Sequence, residues 1–417
     1  MIRTIDVSTL AVQPQALPRQ RTLAKALAVV LVVWVLVWAS LVNGGLAVYW
    51  AFGLAFGVIL QRSRLCFASA FRDLFLMRDG RNLRAILAGL AVASVGFALI
   101  EERAVPTPGF GALPDQAHLM PASVQLIVGG LLFGLGMVLA GGCVSGTLYR
   151  IGEGYVGSLV ALAGILLGLV VATQHWNWWW TTFSQHAPVI WLPGLLGYGG
   201  AVVVTVGVLG GLYLLSLWWD LRSGPRPVLP TRRAAEAPVL SLRDWAFRCY
   251  RTVFGSGWPF TSGVVALAIL NIFVFLFDHP LGVTGELSNW ANRIAALGGI
   301  IAPPLLGASN LAGCLLVYDP TASPVSTGTM LDGGLVIGSF VAALHANEFK
   351  LRLPRQPVRY AQSLAGGVLM GYGAGIAAGC TIGAFFSAIP SLGLNGWIFG
   401  VGLLGGAGLG VQIIKRL

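Results

Sequence analysis

Residues 136–146 read GMVLAGGCVSG, and residues 373–383 read GAGIAAGCTIG. Each run places one cysteine directly after a glycine, inside a long apolar segment. Aligned on Cys143 and Cys380, both segments share the pattern G-x-x-x-G-x-G-x-x-x-A-x-G-C-x-x-G. Coincidence is a competing explanation because the chain has 57 glycines, but the cysteine and the small residues agree in register. The pattern therefore predicts an internal repeat.

The composition is typical of a membrane protein. Of the 417 residues, 56% are hydrophobic and 10% are charged. A soluble domain has about 25% charged residues, so this chain has too little polar surface to be one. A spanning helix needs about 20 apolar residues, and the apolar stretches hold roughly nine to eleven membrane segments. We predict an all-α polytopic membrane protein.

Several classes of function are excluded or disfavoured by simple patterns. The net charge of +11 is explained by the positive-inside rule, so no nucleic-acid partner is predicted. No Cys/His metal spacing and no G-x-x-x-x-G-K-[ST] sequence occurs, so we predict no metal, no cofactor and no ATP hydrolysis by that route. The apolar run at residues 26–41 is long and lacks a clear A-x-A site after it, which favours a retained first helix over a signal peptide.

The distribution of charge predicts the orientation in the membrane. Basic residues cluster in segments that we assign to the cytoplasm: the N-terminus, residues 61–85, 220–255 and 347–360, and the C-terminal Lys415 and Arg416. Acidic residues dominate three segments that we assign to the outside: residues 101–121, 278–293 and 317–332. A Trp-rich loop near residues 176–180 suits the outer interface, although one or two of its tryptophans would equally suit packing between helices.

Residues 220–255 are the most polar and proline-rich part of the chain. We interpret them as a cytoplasmic basic linker between an N-terminal transmembrane half, residues 1–219, and a C-terminal half, residues 256–417. The segment before Cys143 follows a loop assigned outside, whereas the segment before Cys380 follows one assigned inside. This arrangement predicts two pseudo-symmetric inverted halves with short broken or re-entrant helices.

The predicted breaks lie at the glycines around the two cysteines. The glycines expected to support them are Gly142, Gly146, Gly379 and Gly383. Continuous helices with small-residue faces are the alternative. Residues 294–316 fit a simple span poorly, because the loops before and after them are both assigned outside. Either they form a re-entrant hairpin, or one of those two loops is misassigned.

The matched thiols are candidates for a site. Buried cysteines are often small apolar fillers, and that alternative stays open for Cys143 and Cys380. Their equivalent positions in an inverted repeat favour a functional role. The remaining two membrane or linker cysteines, Cys249 and Cys314, have no counterpart, and we expect them to be structural.

A third candidate is Cys66, in QRSRLCFASAFRD at residues 61–73. Three arginines surround it in sequence: Arg62, Arg64 and Arg72. Basic neighbours attract an anion and favour the thiolate. The same arginines are equally consistent with ordinary cytoplasmic anchors.

The sequence also limits the chemistry of the cargo. The apolar segments show no carboxylate or histidine suited to a proton relay, and we expect Arg150, Glu153 and Glu286 to be interfacial. A thiol is a weak donor and a soft, polarizable group. It suits an anion whose outer atom is sulfur or selenium, and weak contacts permit the release that transport requires.

Long motifs resemble those of a known family. QRSRLCFASAFRD, then residues 129–154 (GGLLFGLGMVLAGGCVSGTLYRIGEG), then residues 371–397 (GYGAGIAAGCTIGAFFSAIPSLGLNGW) resemble the three signature segments of the YeeE/YedE family of bacterial inner-membrane proteins. GVTGELSNW, residues 282–290, resembles a fourth. The long linker and the extra Cys314 depart from the compact family pattern.

The resemblance implies a function. Family members similar to thiosulfate transporters import thiosulfate for cysteine synthesis, and three cysteines relay the anion through S–H···S hydrogen bonds. The matching positions here are Cys66, Cys143 and Cys380. A TusA-like or rhodanese-like cytoplasmic sulfurtransferase often consumes the product. The implied location is the bacterial inner membrane, with multiple passes and both termini in the cytoplasm.

Three alternatives remain open at this stage. Some family members are linked to selenium metabolism, so the cargo is thiosulfate, a related sulfur anion or a selenium compound. A membrane sulfurtransferase would instead form a persulfide, and Cys66 is its one plausible thiol. A scaffold would anchor a cytoplasmic sulfurtransferase through residues 220–255. We predict a transporter and not an enzyme.

Overall fold

The computed structural model describes residues 18–109, 111–222, 250–308, 323–354 and 356–416. The helices in this part of the chain are α1 (Pro18–Val42), α2 (Gly44–Ser63), α3 (Phe67–Leu76), α4 (Arg81–Ala104), α5 (Val124–Ala140), α6 (Val144–Gly152), α7 (Val156–Trp179), α8 (Pro193–Arg222), α9 (Phe260–Phe277), α10 (Thr284–Leu297), α11 (Thr327–His345), α12 (Pro357–Ile376) and α13 (Leu394–Arg416). Three π-helical segments are Trp180–Ser184, Arg251–Gly255 and Thr381–Ser387.

The helices confirm a polytopic membrane protein. Within the described residues, 9 helical segments are long and apolar enough to cross a membrane. A tenth is added if α12 and the π-helical segment after it, bent by 47°, count as one broken span. These numbers agree with the predicted nine to eleven segments, and the bent pair agrees with the predicted broken helices.

Glycines allow the central helices to approach closely. A Cβ added at Gly134 of α5 would come within 2.8 Å of the Ala407 nitrogen in α13. One added at Gly168 of α7 would come within 2.6 Å of the Tyr372 nitrogen in α12. No side chain fits in these gaps, so the backbones themselves make the contact. Close backbone contact is the main source of helix association in lipid, where apolar burial contributes little.

The helix pairs follow a repeating arrangement. α5 packs on α13, and α12 packs on α7; likewise α2 packs on α11, and α9 on α4. The pairs are symmetric if α2 corresponds to α9, α4 to α11, α5 to α12 and α7 to α13. Exchanging each helix for its counterpart then turns α2–α11 into α9–α4, and α5–α13 into α12–α7. Helices from residues 1–219 therefore lie directly against helices from residues 256–417. The predicted limits of the two halves stay a prediction.

The predicted linker is described only at its ends. α8 continues to Arg222, and Arg251–Gly255 form a π-helical segment. Residues 223–249, including Cys249, lie outside the described residues, as does Cys314.

The Trp-rich segment is helical and not a loop, because α7 continues to Trp179 and Trp180 begins a π-helical segment. Trp176 is fully buried, whereas Trp178 is 57% exposed. Trp176 and Trp180 stack with ring centroids 6.0 Å apart. The prediction of a loop was therefore wrong, and packing between helices holds for part of the run. The outer-interface position stays a prediction.

Residues 294–308 agree with the re-entrant alternative. α10 has 14 residues, too few for a simple span, and ends at Leu297. An extended segment follows, and the end of α7 holds it. Asn177 donates to Pro304 O at 2.9 Å, and Trp176 Nε1 donates to Leu306 O at 3.0 Å. Polar side chains of α7 thus satisfy backbone groups that lipid would leave unpaired.

Candidate functional site

The three predicted cysteines share one structural setting. Each is the residue that precedes a short helical segment: Cys66 before α3, Cys143 before α6, and Cys380 before Thr381–Ser387. The first turn of a helix has unpaired N–H groups and a partial positive charge. Each thiol therefore lies at a backbone position that favours an anion.

The chain turns in the same way before each cysteine. The residue two positions earlier has left-handed backbone geometry: Arg64 with φ 50°, Gly141 with φ 76° and Ala378 with φ 50°. Non-glycine residues seldom adopt this geometry, so its presence in Arg64 and Ala378 indicates a constrained turn. The predicted breaks at Cys143 and Cys380 are confirmed, and Cys66 follows a third break of the same kind.

Cys66 and Cys143 lie together although 77 positions separate them in sequence. Their side chains interact with one another, and both are buried. Gly146 borders both sulfurs: a Cβ there would lie 3.2 Å from Cys143 Sγ and 3.4 Å from Cys66 Sγ. The Gly146 N–H donates to Cys143 Sγ at 3.4 Å. The absence of a side chain at Gly146 thus lets both thiols pack against its backbone.

The segment after Cys380 packs against the start of α3. The rings of Phe67 and Phe386 lie 5.5 Å apart, and those of Phe71 and Phe385 lie 5.8 Å apart. Cys380 is fully buried, and none of the three site cysteines is in a disulfide. The structure therefore brings Cys66 and Cys143 into contact and places the break at Cys380 against the helix that Cys66 begins.

The predicted glycines have different surroundings. Gly142 lies under the Arg150 guanidinium, where a Cβ would be 3.3 Å from Nη1. A Cβ at Gly379 would be 2.7 Å from the Ala384 nitrogen. Gly383 is buried within the π-helical segment. Gly142 and Gly379 thus permit the tight backbone path next to each cysteine.

The three predicted arginines all have acidic partners. Arg62 is 2% exposed and lies 3.3 Å from Glu348 Oε2, and Arg64, 56% exposed, lies 3.1 Å from the same oxygen. Arg72 pairs with the neighbouring Asp73 at 2.9 Å. One carboxylate, Glu348, therefore pairs with both Arg62 and Arg64 and offsets one of their two positive charges.

The sequence prediction missed Arg150 and Glu153, which we expected to be interfacial. Arg150 Nη1 donates to Gly141 O at 2.5 Å, next to the break before Cys143. Glu153 is buried and accepts from Gln61 Nε2 at 3.1 Å. Burial raises the pKa of the Glu153 carboxyl above its usual value, although Arg64 and the Gln61 hydrogen bond oppose the shift. Arg150 follows Cys143 by seven residues, a spacing that places both on one helix face.

Two further carboxylates lie inside spanning helices, so the expectation of none was wrong. Glu101 in α4 is fully buried, and Asp332 in α11 is 8% exposed. A single acid that faces protein barely lowers the hydropathy of a long helix, so it is easily overlooked. The segments 278–293 and 317–332 are likewise not simple loops, because α10 and the start of α11 lie in them.

α10 contributes a buried polar face that the motif GVTGELSNW only partly indicated. Thr284, Ser288 and Asn292, spaced by four residues, are all buried. Asn292 Nδ2 donates to Thr173 Oγ1 of α7 at 3.0 Å. The spacing of four along the sequence was the signal available.

A multi-pass helical membrane protein with buried thiols at helix breaks belongs to the class of membrane transporters that use broken helices. The chain belongs to the sulphur transport family, whose sequence model matches residues 62–409. This result confirms the resemblance seen in the motifs.

Named relatives narrow the comparison. The chain is 32% identical over 347 residues to a protein of Spirochaeta thermophila named thiosulfate transporter TsuA. The match covers 83% of this chain and 92% of that protein. It is 31% identical over 363 residues to the thiosulfate transporter TsuA of Escherichia coli. This match covers 83% of this chain and 88% of that protein. A probable transporter YedE of Salmonella typhimurium is 32% identical over 172 residues, which are 41% of this chain and 40% of that protein.

Proposed function

We propose that this chain imports thiosulfate, or a closely related sulfur anion, across the bacterial inner membrane by relay along Cys66, Cys143 and Cys380. The observation that carries the proposal is the shared setting of these cysteines, each buried at the N-terminus of a short helical segment after a left-handed residue. The names of the two thiosulfate transporters support the cargo.

Each of the three cysteines, together with the helix N-terminus beside it, has the chemistry to bind thiosulfate. The terminal sulfur of the anion accepts a weak hydrogen bond from a thiol, and the oxygens accept from N–H groups at a helix N-terminus. Both contacts replace part of the hydration that the anion loses on entry. Because a thiol is only a weak hydrogen-bond donor, each contact holds the anion weakly and permits its release.

One contact supports an order for the three cysteines along the route. Cys66 and Cys143 interact, so transfer between them requires little movement of the anion. Cys66 adjoins the basic segment assigned to the cytoplasm, and it is the exit station. Arg62, Arg64 and Arg72 flank Cys66 in the sequence, and Glu348 limits how strongly the first two would retain the anion. A TusA-like or rhodanese-like sulfurtransferase then consumes the product, and both chain termini face the same side.

Labelled thiosulfate uptake tests the proposal in bacteria that lack their own sulfate and thiosulfate importers. We expect uptake by the wild type and at least about a tenfold loss in Cys143→Ala and Cys380→Ala, the loss of roughly 1.4 kcal/mol of stabilisation at the barrier. Cys249→Ala and Cys314→Ala are matched controls, for which we expect normal uptake. Near-normal uptake in both site variants, with the protein shown to be in the membrane, would disprove the relay.

The remaining alternatives have distinct outcomes. A selenium cargo would appear as competition by selenium analogues that exceeds competition by thiosulfate itself. A persulfide on Cys66 after turnover, detected by mass spectrometry, would indicate a sulfurtransferase. The burial of Cys66 favours transport, because persulfide transfer requires an accessible thiol. Deletion of residues 224–240 that abolishes partner binding but preserves uptake would make a scaffold role secondary.

A further inference from the structure

Asp332 is a buried acid with no described partner, inside a spanning helix. It lies five residues after the start of α11, and its side chain is 8% exposed. Neither carboxylate oxygen has a hydrogen-bond partner among the residues that the structure describes. An ionised carboxylate is strongly disfavoured where no donor or cation compensates for lost hydration. This conformation therefore suits the neutral, protonated acid.

A second carboxylate lies at the same end of α11 as Asp332. Glu286 of α10 is half-buried and accepts hydrogen bonds from Ser326 Oγ and Thr329 Oγ1, both at 2.7 Å. These hydroxyls belong to the N-terminus of α11, about one helical turn from Asp332. Glu286 is the acid within electrostatic range of Asp332. The two acids form a short series from the end of α11 into its interior.

The segments that pack against α11 also carry other titratable groups, namely Lys25, Tyr49, Arg62, Tyr149, Arg150, Arg251 and Arg293. Among the described residues, Glu286 is the charged group that acts on Asp332. Tyr49 of α2 donates to Asp278 at 3.0 Å. Arg150 of α6 bonds to Gly141, and Lys25 of α1 lies 3.5 Å from His345 O at the opposite end of α11. Within the described ranges, the site mechanism above uses neither Asp332 nor Glu286.

An acid that carries a proton would reduce the electrical cost of importing the proposed cargo. Thiosulfate carries two negative charges, and the cytoplasmic side of a bacterial membrane is negative. Each negative charge moved inwards against 100 mV lowers the accumulation ratio by about fiftyfold. A proton that moves inwards with the anion cancels one of these charges.

We infer that Asp332 is the proton-carrying site that couples anion import to the proton gradient. This inference rests on the proposed function. An Asp332 oxygen takes a proton from outer water through the Glu286 end of α11, and it releases that proton to the inner side during the transport cycle. One O–H bond forms and later breaks, and nothing is oxidised or reduced.

The test uses the full-length protein in proteoliposomes. Exchange of labelled for unlabelled thiosulfate at equal concentrations needs no driving force and reports transport alone. Net uptake is then measured with the membrane potential clamped at zero, with and without an inward proton gradient. We expect the accumulation ratio to rise about tenfold per unit of pH gradient for each proton carried. We also expect thiosulfate addition to alkalinise the outer medium.

Asp332→Asn mimics the neutral acid in shape and hydrogen bonding, and it cannot release a proton. We expect this variant to retain exchange within about threefold of the wild type and to lose the response to the proton gradient. Asp115→Asn is the matched control, since Asp115 is exposed and lies between spans. We expect it to keep both activities.

Each result has a defined meaning. No exchange by the wild type would overturn the proposed function, whereas exchange with no effect of the proton gradient would overturn the inference alone. A gradient response preserved in Asp332→Asn would also overturn it. Loss of exchange together with coupled uptake in Asp332→Asn would do the same, because the carboxyl would then serve the anion pathway itself.

Discussion

Nη1 of Arg150 donates a hydrogen bond to the carbonyl oxygen of Gly141 at 2.5 Å. The bond runs from α6 back to the turn that separates it from α5, across the break before Cys143. Gly141 has left-handed geometry, so its carbonyl is turned out of the α5 hydrogen-bond ladder. A cation on this oxygen satisfies a group that a membrane interior would otherwise leave unpaired.

Replacing Arg150 should therefore loosen the break. We expect Arg150→Gln to lose about 1.5–3 kcal/mol of stability, the usual range for a hydrogen bond to a charged group, and to reduce uptake. Arg150→Lys should be intermediate because an ammonium lacks the planar fork. Thermal unfolding in detergent and uptake assays measure both effects. Arg359→Gln, at an exposed arginine, is the control; equal midpoints in Arg150→Gln and this control would contradict the prediction.

Glycine at position 146 lets both thiols pack against the backbone. In Gly146→Ala the new methyl carbon would lie 3.2 Å from Cys143 Sγ and 3.4 Å from Cys66 Sγ. We expect impaired uptake, because the methyl group would crowd both sulfurs and displace them from their present positions. Gly210→Ala in α8 has no atom within 4 Å of its added carbon, and it should gain up to about 1 kcal/mol of stability without change in uptake. Normal transport by Gly146→Ala would indicate that the anion does not pass this point.

Arg62 and Arg64 share Glu348 but differ in burial. Arg62, 2% exposed, also donates to Val253 O at 3.0 Å, whereas Arg64 is 56% exposed. We expect Arg62→Gln to destabilise the protein by roughly 2–4 kcal/mol, because Gln leaves buried acceptors unpaired. Arg64→Gln should cost less than about 1 kcal/mol, as for other exposed pairs. Unfolding midpoints compare the two, and a larger effect at Arg64 would show that burial is not the deciding factor.

The buried side chain of His118 should make the stability of the protein depend on pH. It is buried between α4 and α5, outside the spanning segments, and burial lowers its pKa to about 4, with nearby His279 adding to the shift. The folded state thus holds it neutral, while the unfolded chain binds a proton near pH 6.5. Its stabilising contribution is complete above pH 6.5 and is lost as pH falls towards 4. The loss amounts to about 3 kcal/mol.

His118→Gln should remove this part of the pH dependence. Unfolding midpoints at several pH values between 7 and 4 would show a smaller decline in the variant than in the wild type. Exposed His186 offers a control, because His186→Gln should leave the wild-type decline unchanged. Parallel declines in wild type and His118→Gln would place the acid sensitivity elsewhere.

Much of the architecture was predictable from local sequence. Long apolar runs can only be helices in lipid, and glycine next to cysteine within such a run indicates a break. The positions Cys66, Cys143 and Cys380 came from the same reasoning. The prediction was wrong where side chains at helix ends were involved. The Trp run and the acidic segments were assigned to loops, because composition does not report which face of a helix meets protein.

The sequence by itself determined the helical membrane fold, the breaks at Cys143 and Cys380 and the family, since backbone hydrogen bonding in lipid and short-range sterics act within a few residues. Only the tertiary structure decided that Cys66 meets Cys143, that Glu348 holds both Arg62 and Arg64, and that Asp332 faces the interior. These relationships join residues far apart in the chain. They depend on which helix faces pack together, which the glycine contacts between helices set.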